Sequence, residues 1–189
     1  MSQISFKANF VKPVIVKKKD DNHNYANTKV SLVEIDVDNK GDMYALKELP
    51  QNWGPDNFSS DIYNNAKKRH MTGDVDSDVH TYAVTSQNHN FQTLNSDKIL
   101  GVAELIDVDS KNNKLNLLQV NPDYSKSYVY SKDNRKYKNV GSSMLNSLIN
   151  LAPDKNLNVR TTQWVEDFYK KHDFEKVGNS DLDYLRSAK

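Results

Sequence analysis

The sequence predicts one α+β domain with a mixed β-sheet and flanking helices. Seven segments have β-like patterns, from which four or five strands are expected, and the helical segments cluster early and late in the chain. The chain has 189 residues, of which 37% are hydrophobic and 27% charged, so it can bury a core of ordinary size. No segment approaches the roughly 20 consecutive apolar residues of a membrane-spanning helix.

Alternating or continuous apolar patterns mark the strands. The patterns cover residues 10–16, 30–37, 80–85, 99–106, 115–120, 157–159 and 182–185. Pro13 cannot donate a backbone hydrogen bond, so it would put the first strand at a sheet edge or at a bulge. The polar residues 107–114 predict a turn and therefore an antiparallel connection.

Two helices are expected between the second and third strands. Asp42 is placed to cap a short helix, which Pro50 would stop. A second helix would begin at Ser59 or Ser60 and end near Gly73.

Residues 115–177 carry the most information about function, because they predict a strand, a basic turn, a helix, a strand, a helix and a strand. The basic segment 135–142 contains Gly141 and opens a helix that extends to about Leu151. A helix start leaves backbone N–H groups unpaired and carries a partial positive charge, which suits a phosphate. The alternative is an ordinary helix start whose lysines face water.

These local sequences, in this order, resemble the GNAT superfamily of acyl-CoA-dependent N-acetyltransferases over residues 30–177. Val120-Asn121-Pro122 is similar to the V-x-P strand end of that family. Residues 136–141 stand where the family has its pyrophosphate-binding turn, with Asn139 in place of the first glycine. Asn tolerates left-handed backbone better than most residues.

The resemblance continues after the next predicted strand. Thr162, Tyr169 and the pair Asp173-Phe174 stand where the family has an Asn, a Tyr and a Gly-Phe pair. Asp is also common in such turns. The resemblance implies a mostly antiparallel sheet that splays between two central parallel strands.

The resemblance also implies that acetyl-CoA is bound as the acyl donor. The residues implied in binding are Gln119, Val120, Lys136, Tyr137, Lys138, Asn139, Val140, Gly141, Ser142 and Thr162. The backbone N–H of Val120 or its neighbour would polarise the thioester carbonyl. Tyr169 would be the acid that protonates the CoA sulfur. The alternative for Tyr169 is packing against Phe168 and Phe174.

No general base is obvious in the sequence. Glu104 is the best candidate, because it lies within an apolar strand, where a charge is costly unless it is used or paired. It could equally lie on a solvated face. Glu166, one helical turn before Tyr169, is a weaker candidate, and His172 is expected to face solvent.

Composition excludes several other functions. There are no cysteines, which excludes disulfides, thiolate metal sites and a covalent cysteine intermediate, so acetyl transfer would be direct. The histidines are not spaced as metal ligands. The formal charge of +1 gives no general attraction to nucleic acid or membrane, and neither partner is expected. Trp53 and Trp164 are interpreted as packing residues.

The leading hypothesis is a cytoplasmic N-acetyltransferase that acts on a primary amine of a small molecule or a protein. The alternatives are a GNAT-fold CoA-binding or regulatory protein with little or no turnover, and a non-enzymatic α+β interaction module. Residues 1–27 would form an extension with one β segment, and residues 28–189 the acetyltransferase domain. The β segment could extend the sheet or pair between subunits, which would give a homodimer.

Overall fold

A computed structural model of the chain describes residues 8–54, 58–72, 78–88, 90–125, 135–178 and 182–188. Within them are nine strands: β1 (Asn9–Lys19), β2 (Tyr25–Glu34), β3 (Val79–Thr85), β4 (Ile99–Asp107), β5 (Asn112–Val120), β6 (Tyr137–Lys138), β7 (Asn156–Arg160), β8 (Glu175–Lys176) and β9 (Asp183–Arg186). The α-helices described are α1 (Lys40–Trp53), α2 (Ser59–Thr72), α3 (Val140–Ile149) and α4 (Glu166–Lys170). The predicted α+β class is confirmed.

The described strands form one sheet in the order β6-β1-β2-β3-β4-β5-β7-β9-β8. The pair β5–β7 is parallel, and the other described pairs are antiparallel. Pairing between β5 and β7 covers only residues 112–115 of β5 and 156–159 of β7. β5 continues to Val120, so the two parallel strands splay at this point, as the resemblance implied.

β1 is a full member of this sheet and pairs with β2 along its whole length. Its pairing with β6 involves only Lys17 and Lys18. Among the described strands none pairs with β1 on the outer side of Pro13, which lies two residues after a register shift at Val11. This confirms the edge or bulge expected from Pro13. The division between residues 27 and 28 falls inside β2 and stays a prediction.

The start and end of α1 differ from the prediction. Asn39 caps the helix, because its Oδ1 accepts hydrogen bonds from the N–H groups of Gly41 and Asp42. Asp42 is therefore a buried residue of the first turn and not the cap. Pro50 lies inside the last turn and does not stop the helix, which continues to Trp53, since packing of Leu49 and Trp53 outweighs one lost backbone bond. α2 begins at Ser59 as predicted, and Gly73 lies outside the described residues.

Each face of the sheet covers its own hydrophobic core. One core packs α3 against the sheet and includes Val14, Val16, Leu32, Leu100, Leu115, Met144, Leu145 and Leu148. The other packs α1 and α2 and includes Val33, Ile35, Leu46, Leu49, Ile62, Ala66 and Val102. The end of β5 therefore lies between α2 on one face and α3 on the other. None of the helices in the described ranges is long and apolar enough to span a bilayer.

Candidate functional site

Past residue 115, one side of the β5 backbone pairs with no strand among the described residues. The N–H of Asn121 donates to Leu100 O of β4, 3.0 Å away. Because backbone groups point to alternate sides along a strand, the N–H groups of Leu118 and Val120 point toward the gap where β7 has ended. A register shift between Glu104 and Leu105 makes Asn116 the extra residue of a bulge at the same point. An extended chain rich in amides could pair with this edge.

The start of α3 lies against the end of β5. A Cβ added at Gly141 would be 3.2 Å from Val120 Cγ2 and 3.6 Å from the Phe168 ring. The first intrahelical bond runs from the N–H of Ser143 to Asn139 O, so the preceding N–H groups of the helix start lie outside the intrahelical ladder. N–H groups in this position suit an anion, and they lie beside the end of β5.

Asn139 has left-handed backbone, with φ 63°. This conformation turns the chain from β6 into α3, and its side chain makes no cap bond. Asp173 also has a positive φ, 64°. At both positions the conformation fits the glycine of the pattern that the sequence resembles, and Asn and Asp supply it at lower cost than other residues with a Cβ.

The three residues before Asn139 have different surroundings. Tyr137 is buried in the core on the α3 side and packs edge-on against Tyr124, with ring centroids 5.1 Å apart. Lys138 Nζ lies 3.7 Å from the centroid of the Tyr25 ring. Lys136 is exposed, and its carbonyl accepts from the N–H of Lys19. Pairing with β1 thus fixes this segment, and the lysines add charge near the helix start.

His172 is half-buried and does not simply face solvent, as the sequence had suggested. Its Nδ1 lies 3.0 Å from Asn146 Oδ1 and its Nε2 lies 3.1 Å from Ser142 Oγ. A neutral ring satisfies both contacts by donating from Nδ1 and accepting at Nε2. Burial lowers the pKa of His172, an effect that nearby Asp173 opposes. The contacts tie the turn after α4 to the first turn of α3.

Tyr169 is buried on α4 within an aromatic cluster. Its ring lies edge-on to Phe168 and Phe174, with centroids 5.1 and 5.4 Å away. Burial raises the pKa of Tyr169 to about 12, so its phenol keeps its proton at neutral pH. The structure therefore shows the aromatic packing, and the phenol is also chemically suited to donate a proton.

Thr162 and Trp164 follow the end of β7, on the far side of the splay. Thr162 is exposed and caps no helix through its side chain. Trp164 is 93% exposed, so the expectation that it packs is wrong, whereas Trp53 is buried in the core beneath α1 and α2. Nothing in the sequence around Trp164 marks it as exposed, because the short turn that carries it has no periodicity.

Glu104 is buried, with 2% of its surface exposed, so the solvated-face alternative is wrong. Its Oε1 accepts from Asn65 Nδ2 of α2 at 3.0 Å and from Asn116 Nδ2 of the β5 bulge at 2.6 Å. Its Oε2 has no hydrogen-bond partner among the described residues. Asn65 and Asn116 were missed in the sequence, since no local pattern links positions on α2, β4 and β5.

Gln119 is the other polar side chain buried near the end of β5. Its Oε1 accepts from the N–H of Phe58, and its Nε2 donates to Val120 O at 2.7 Å. The side chain thus ties β5 to the start of α2.

Glu166 is ion-paired with Lys170, at 2.8 Å. This bond lowers the pKa of Glu166, with a further contribution from Tyr184. That makes Glu166 a poor proton acceptor. No group of three or more metal-ligating side chains occurs within the described ranges.

Solved structures share this fold at low sequence identity. A putative GNAT-family acetyltransferase from Desulfovibrio desulfuricans is 12% identical with a TM-score of 0.55, covering 85% of this chain and 99% of its own. AtaT in complex with acetyl-methionyl-tRNAfMet is also 12% identical with a TM-score of 0.55, and the match covers 84% of this chain and 94% of AtaT. AtaTR bound with AcCoA is 13% identical with a TM-score of 0.53, and the match covers 83% of this chain and 92% of that chain. No family model and no curated protein matches the chain.

The order of the strands, the splay and the helix start at the end of β5 define a class of protein. The chain has the GNAT N-acetyltransferase fold.

Proposed function

We propose that this chain transfers the acetyl group of acetyl-CoA to a primary amine. The observation that carries the proposal is the edge of β5 that no described strand pairs, beside the start of α3, where left-handed Asn139 leads into N–H groups outside the intrahelical ladder. An amide-bearing arm ending in a pyrophosphate fits these two features together. The fold neighbour solved with AcCoA supports the same donor.

The donor would lie along the splay. The N–H groups of Val140, Gly141 and Ser142 would bind the pyrophosphate, and Lys136 and Lys138 would add favourable charge. The pantetheine amides would pair with β5 near Gln119 and Val120, whose outward N–H would stabilise the oxyanion. Thr162 would border the donor from the β7 side.

Direct transfer requires a neutral amine. Its nitrogen attacks the thioester carbonyl carbon, the carbon–sulfur bond breaks, and the nitrogen loses a proton. Tyr169 would donate its proton to the departing sulfur, since its raised pKa keeps the phenol protonated until that charge develops. The tyrosinate would then recover a proton from solvent.

Glu104 is assigned as the group that receives the proton of the amine. Two amides hold one carboxylate oxygen and so orient the other, which has no partner among the described residues. Glu104 pairs in register with Leu117, directly beside the bulge at the splay. A buried carboxylate oxygen that lacks a hydrogen-bond partner suits an ammonium group and its proton.

A thermal shift experiment tests donor binding. Acetyl-CoA and CoA should raise the melting temperature of the wild-type chain, because each binds the folded state. Gly141→Asp should abolish the shift, since it puts a carboxylate at the anion site. Gly141→Ala is the steric control and should keep most of it, because its Cβ meets Val120 at 3.2 Å without adding charge. No shift at millimolar ligand would end the proposal.

A GNAT-fold protein that binds CoA without turnover is the second candidate. The aromatic packing of Tyr169 favours it, because the same contacts would be made by a purely structural residue. Release of free thiol from acetyl-CoA in the presence of an amine panel separates the two candidates. Turnover that Tyr169→Phe reduces supports the transferase, whereas a thermal shift without thiol release supports the binding protein.

The acceptor class is a small molecule or a protein bearing a primary amine. Its approach would be from the α2 side, where Glu104 and Asn65 lie. A cytoplasmic location and a homodimer remain predictions.

A further inference from the structure

An open cleft lies between the second half of α3, the turn after α4 and the end of β9. Its volume is about 460 Å³, within the range of roughly 300–1,000 Å³ that is usual for small-molecule sites. Asn146, Ile149 and Asn150 line it on the α3 side, and Arg186 lines it on the β9 side. We call it the α3–β9 cleft.

Two cations face the α3–β9 cleft. Lys171 is exposed and Arg186 is partly buried, and neither forms an ion pair with a carboxylate in the part of the chain that the structure describes. Asp173 also lines the cleft and offsets one of the two charges. Burial lowers the pKa of His172, so its ring adds no charge near neutral pH. The cleft is therefore cationic overall.

His172 connects the α3–β9 cleft to the start of α3. It lines the cleft, and its Nε2 lies 3.1 Å from Ser142 Oγ in the first turn of the helix. Its Nδ1 lies 3.0 Å from Asn146 Oδ1. At the rise of an α-helix, Asn146 and Asn150 lie about 6 and 12 Å from Ser142 along the axis. A group bound in the cleft is thus one short linker away from an anion at the helix start.

The direction of the proposed donor leads from the helix start to the α3–β9 cleft. The acyl arm would leave the pyrophosphate along β5, into the splay. The adenosine, at the other end of the pyrophosphate, would then leave over the surface of α3 and α4, where the cleft lies. Only one ribose separates the pyrophosphate of CoA from its 3′-phosphate, so the spacing suits this second phosphate.

The lining of the cleft suits a purine that carries a phosphate. Ammonium and guanidinium groups form charge-assisted bonds with phosphate oxygens. Buried Ile149 offers an apolar contact for a flat ring, and the amides of Asn146 and Asn150 can pair with the polar edge of a purine. We propose that the α3–β9 cleft binds the adenosine 3′-phosphate end of the acyl donor, with Lys171 and Arg186 selecting CoA over 3′-dephospho-CoA. This inference rests on the proposed function.

Isothermal titration calorimetry with CoA and 3′-dephospho-CoA tests the inference. The wild-type chain should bind CoA at least about tenfold more tightly, since hydrogen bonds between charged groups are the strong ones. The variant Lys171→Gln/Arg186→Gln should bind 3′-dephospho-CoA as the wild type does, and CoA no more tightly than that. The loss is thus confined to the ligand that carries the 3′-phosphate.

The matched control is Lys67→Gln/Lys68→Gln, which lowers the net charge equally at exposed positions of α2, on the other side of the sheet. It should keep the wild-type preference for CoA. The exchange Lys171→Arg/Arg186→Lys keeps both charges and should keep most of the preference. If the double Gln variant does not fold, Lys171→Gln alone replaces it, because this position is exposed, and it should lower the preference at least about threefold.

Inorganic phosphate tests whether the cleft takes the phosphate of the donor or a separate one. It should weaken the binding of CoA by the wild type and leave the binding of 3′-dephospho-CoA by the Gln variant unchanged. Phosphate that binds the wild type but not the Gln variant, without weakening CoA, would assign the cleft to a separate phosphate ligand and overturn the inference.

Two further results would overturn it. Equal affinities of the wild type for CoA and 3′-dephospho-CoA would show that the 3′-phosphate is not bound, while the proposed function would stand. Equal loss of the preference in the cleft variant and in the α2 control would show that only net charge matters. Absence of binding by both nucleotides would instead end the proposed function and this inference with it, so the two failures are distinguishable.

Discussion

Two carboxylates, Asp42 and Glu104, are buried on the α1–α2 side of the sheet. In each, one oxygen is hydrogen-bonded and the other has no partner among the described residues. Asp42 accepts from the N–H of Asp36 at 3.2 Å, a contact internal to the start of α1. Glu104 lies beside the splay and is held by side chains of two other elements. Their expected effects therefore differ: Asp42 affects stability, and Glu104 affects reactivity.

Asp42→Asn should raise the free energy of unfolding at pH 8. Burial raises the pKa of Asp42 from 3.8 to about 6, with a smaller opposing effect from its bond to Asp36. The folded state therefore binds the proton more tightly, so the stability that the protonated form supplies below pH 4 is lost as pH rises through about 6. The asparagine side chain would keep a hydrogen-bond acceptor without the charge. The free energy of unfolding of Asp42→Asn should therefore exceed that of the wild type by roughly 2 kcal/mol at pH 8.

Urea unfolding between pH 4 and pH 8 measures the effect of Asp42→Asn. The wild type should lose stability over this interval relative to the variant, whose profile should be flatter. Asp61→Asn is the control, because Asp61 is an exposed acid in the first turn of α2. A variant less stable than wild type at pH 8 would show that the ionised carboxylate is needed by α1.

Glu104→Gln should slow acetyl transfer by about 10² to 10⁴, the usual range for loss of a general base. The glutamine oxygen can still accept from Asn65 and Asn116, so the fold and the thermal shift with acetyl-CoA should be retained. Thiol release under saturating donor measures the loss. Glu166→Gln is the control and should keep the wild-type rate, because that carboxylate is paired with Lys170. Equal rates for Glu104→Gln and wild type would make Glu104 a structural residue.

At the scale of elements, the start of α3 depends on one backbone conformation. Asn139 has left-handed backbone at the point where β6 leads into α3. The close approach of Gly141 to Val120 and Phe168 then joins α3, β5 and α4. The proposed anion site thus depends on how these three elements meet.

Asn139→Val should cost about 1–2 kcal/mol of unfolding free energy, because a β-branched residue is strained at positive φ. It should also weaken the acetyl-CoA thermal shift, since relaxing the strain moves the helix start. Asn139→Gly should keep both. Urea unfolding and thermal shift measure the two effects.

His23→Val is the matched control for the Asn139 series. His23 has φ 64° in the exposed turn between β1 and β2, so the same strain arises away from the site. The variant His23→Val should lose a similar amount of unfolding free energy and keep the full acetyl-CoA thermal shift. A ligand shift lost equally in both variants would mean that general destabilisation explains the effect at Asn139.

At the scale of the molecule, the sequence predicts the elements with local periodicity and misses what depends on long-range pairing. The strands β2 to β5 and the bulk of α3 are indicated by local patterns, and the left-handed Asn139 is indicated by the resemblance, in which it replaces a turn glycine. The cap of α1 is misplaced because Asn39 and Asp42 are both plausible caps and only packing decides between them. β6 results from pairing between residues near 18 and near 137, which no local pattern reveals.

The splay between β5 and β7 predicts where hydrogen exchange will respond to the donor. With acetyl-CoA at about 100 times its dissociation constant, the folded state gains about 2.7 kcal/mol. Amides of residues 116–121 and 139–143 should exchange up to about 100-fold more slowly, because the N–H groups facing the gap and at the helix start would gain acceptors.

Exchange in the β1–β2 hairpin separates this local effect from a global one. If the donor binds in the splay, the turn residues 20–24 and the outer face of β1 should exchange as before, since their opening does not require donor release. Gly141→Asp should remove the protection at β5 and α3 together, because one ligand spans both. Slower exchange at α3 without any change at β5 would indicate that the anion binds at the helix start while no acyl arm lies in the splay. That result would favour the second candidate function.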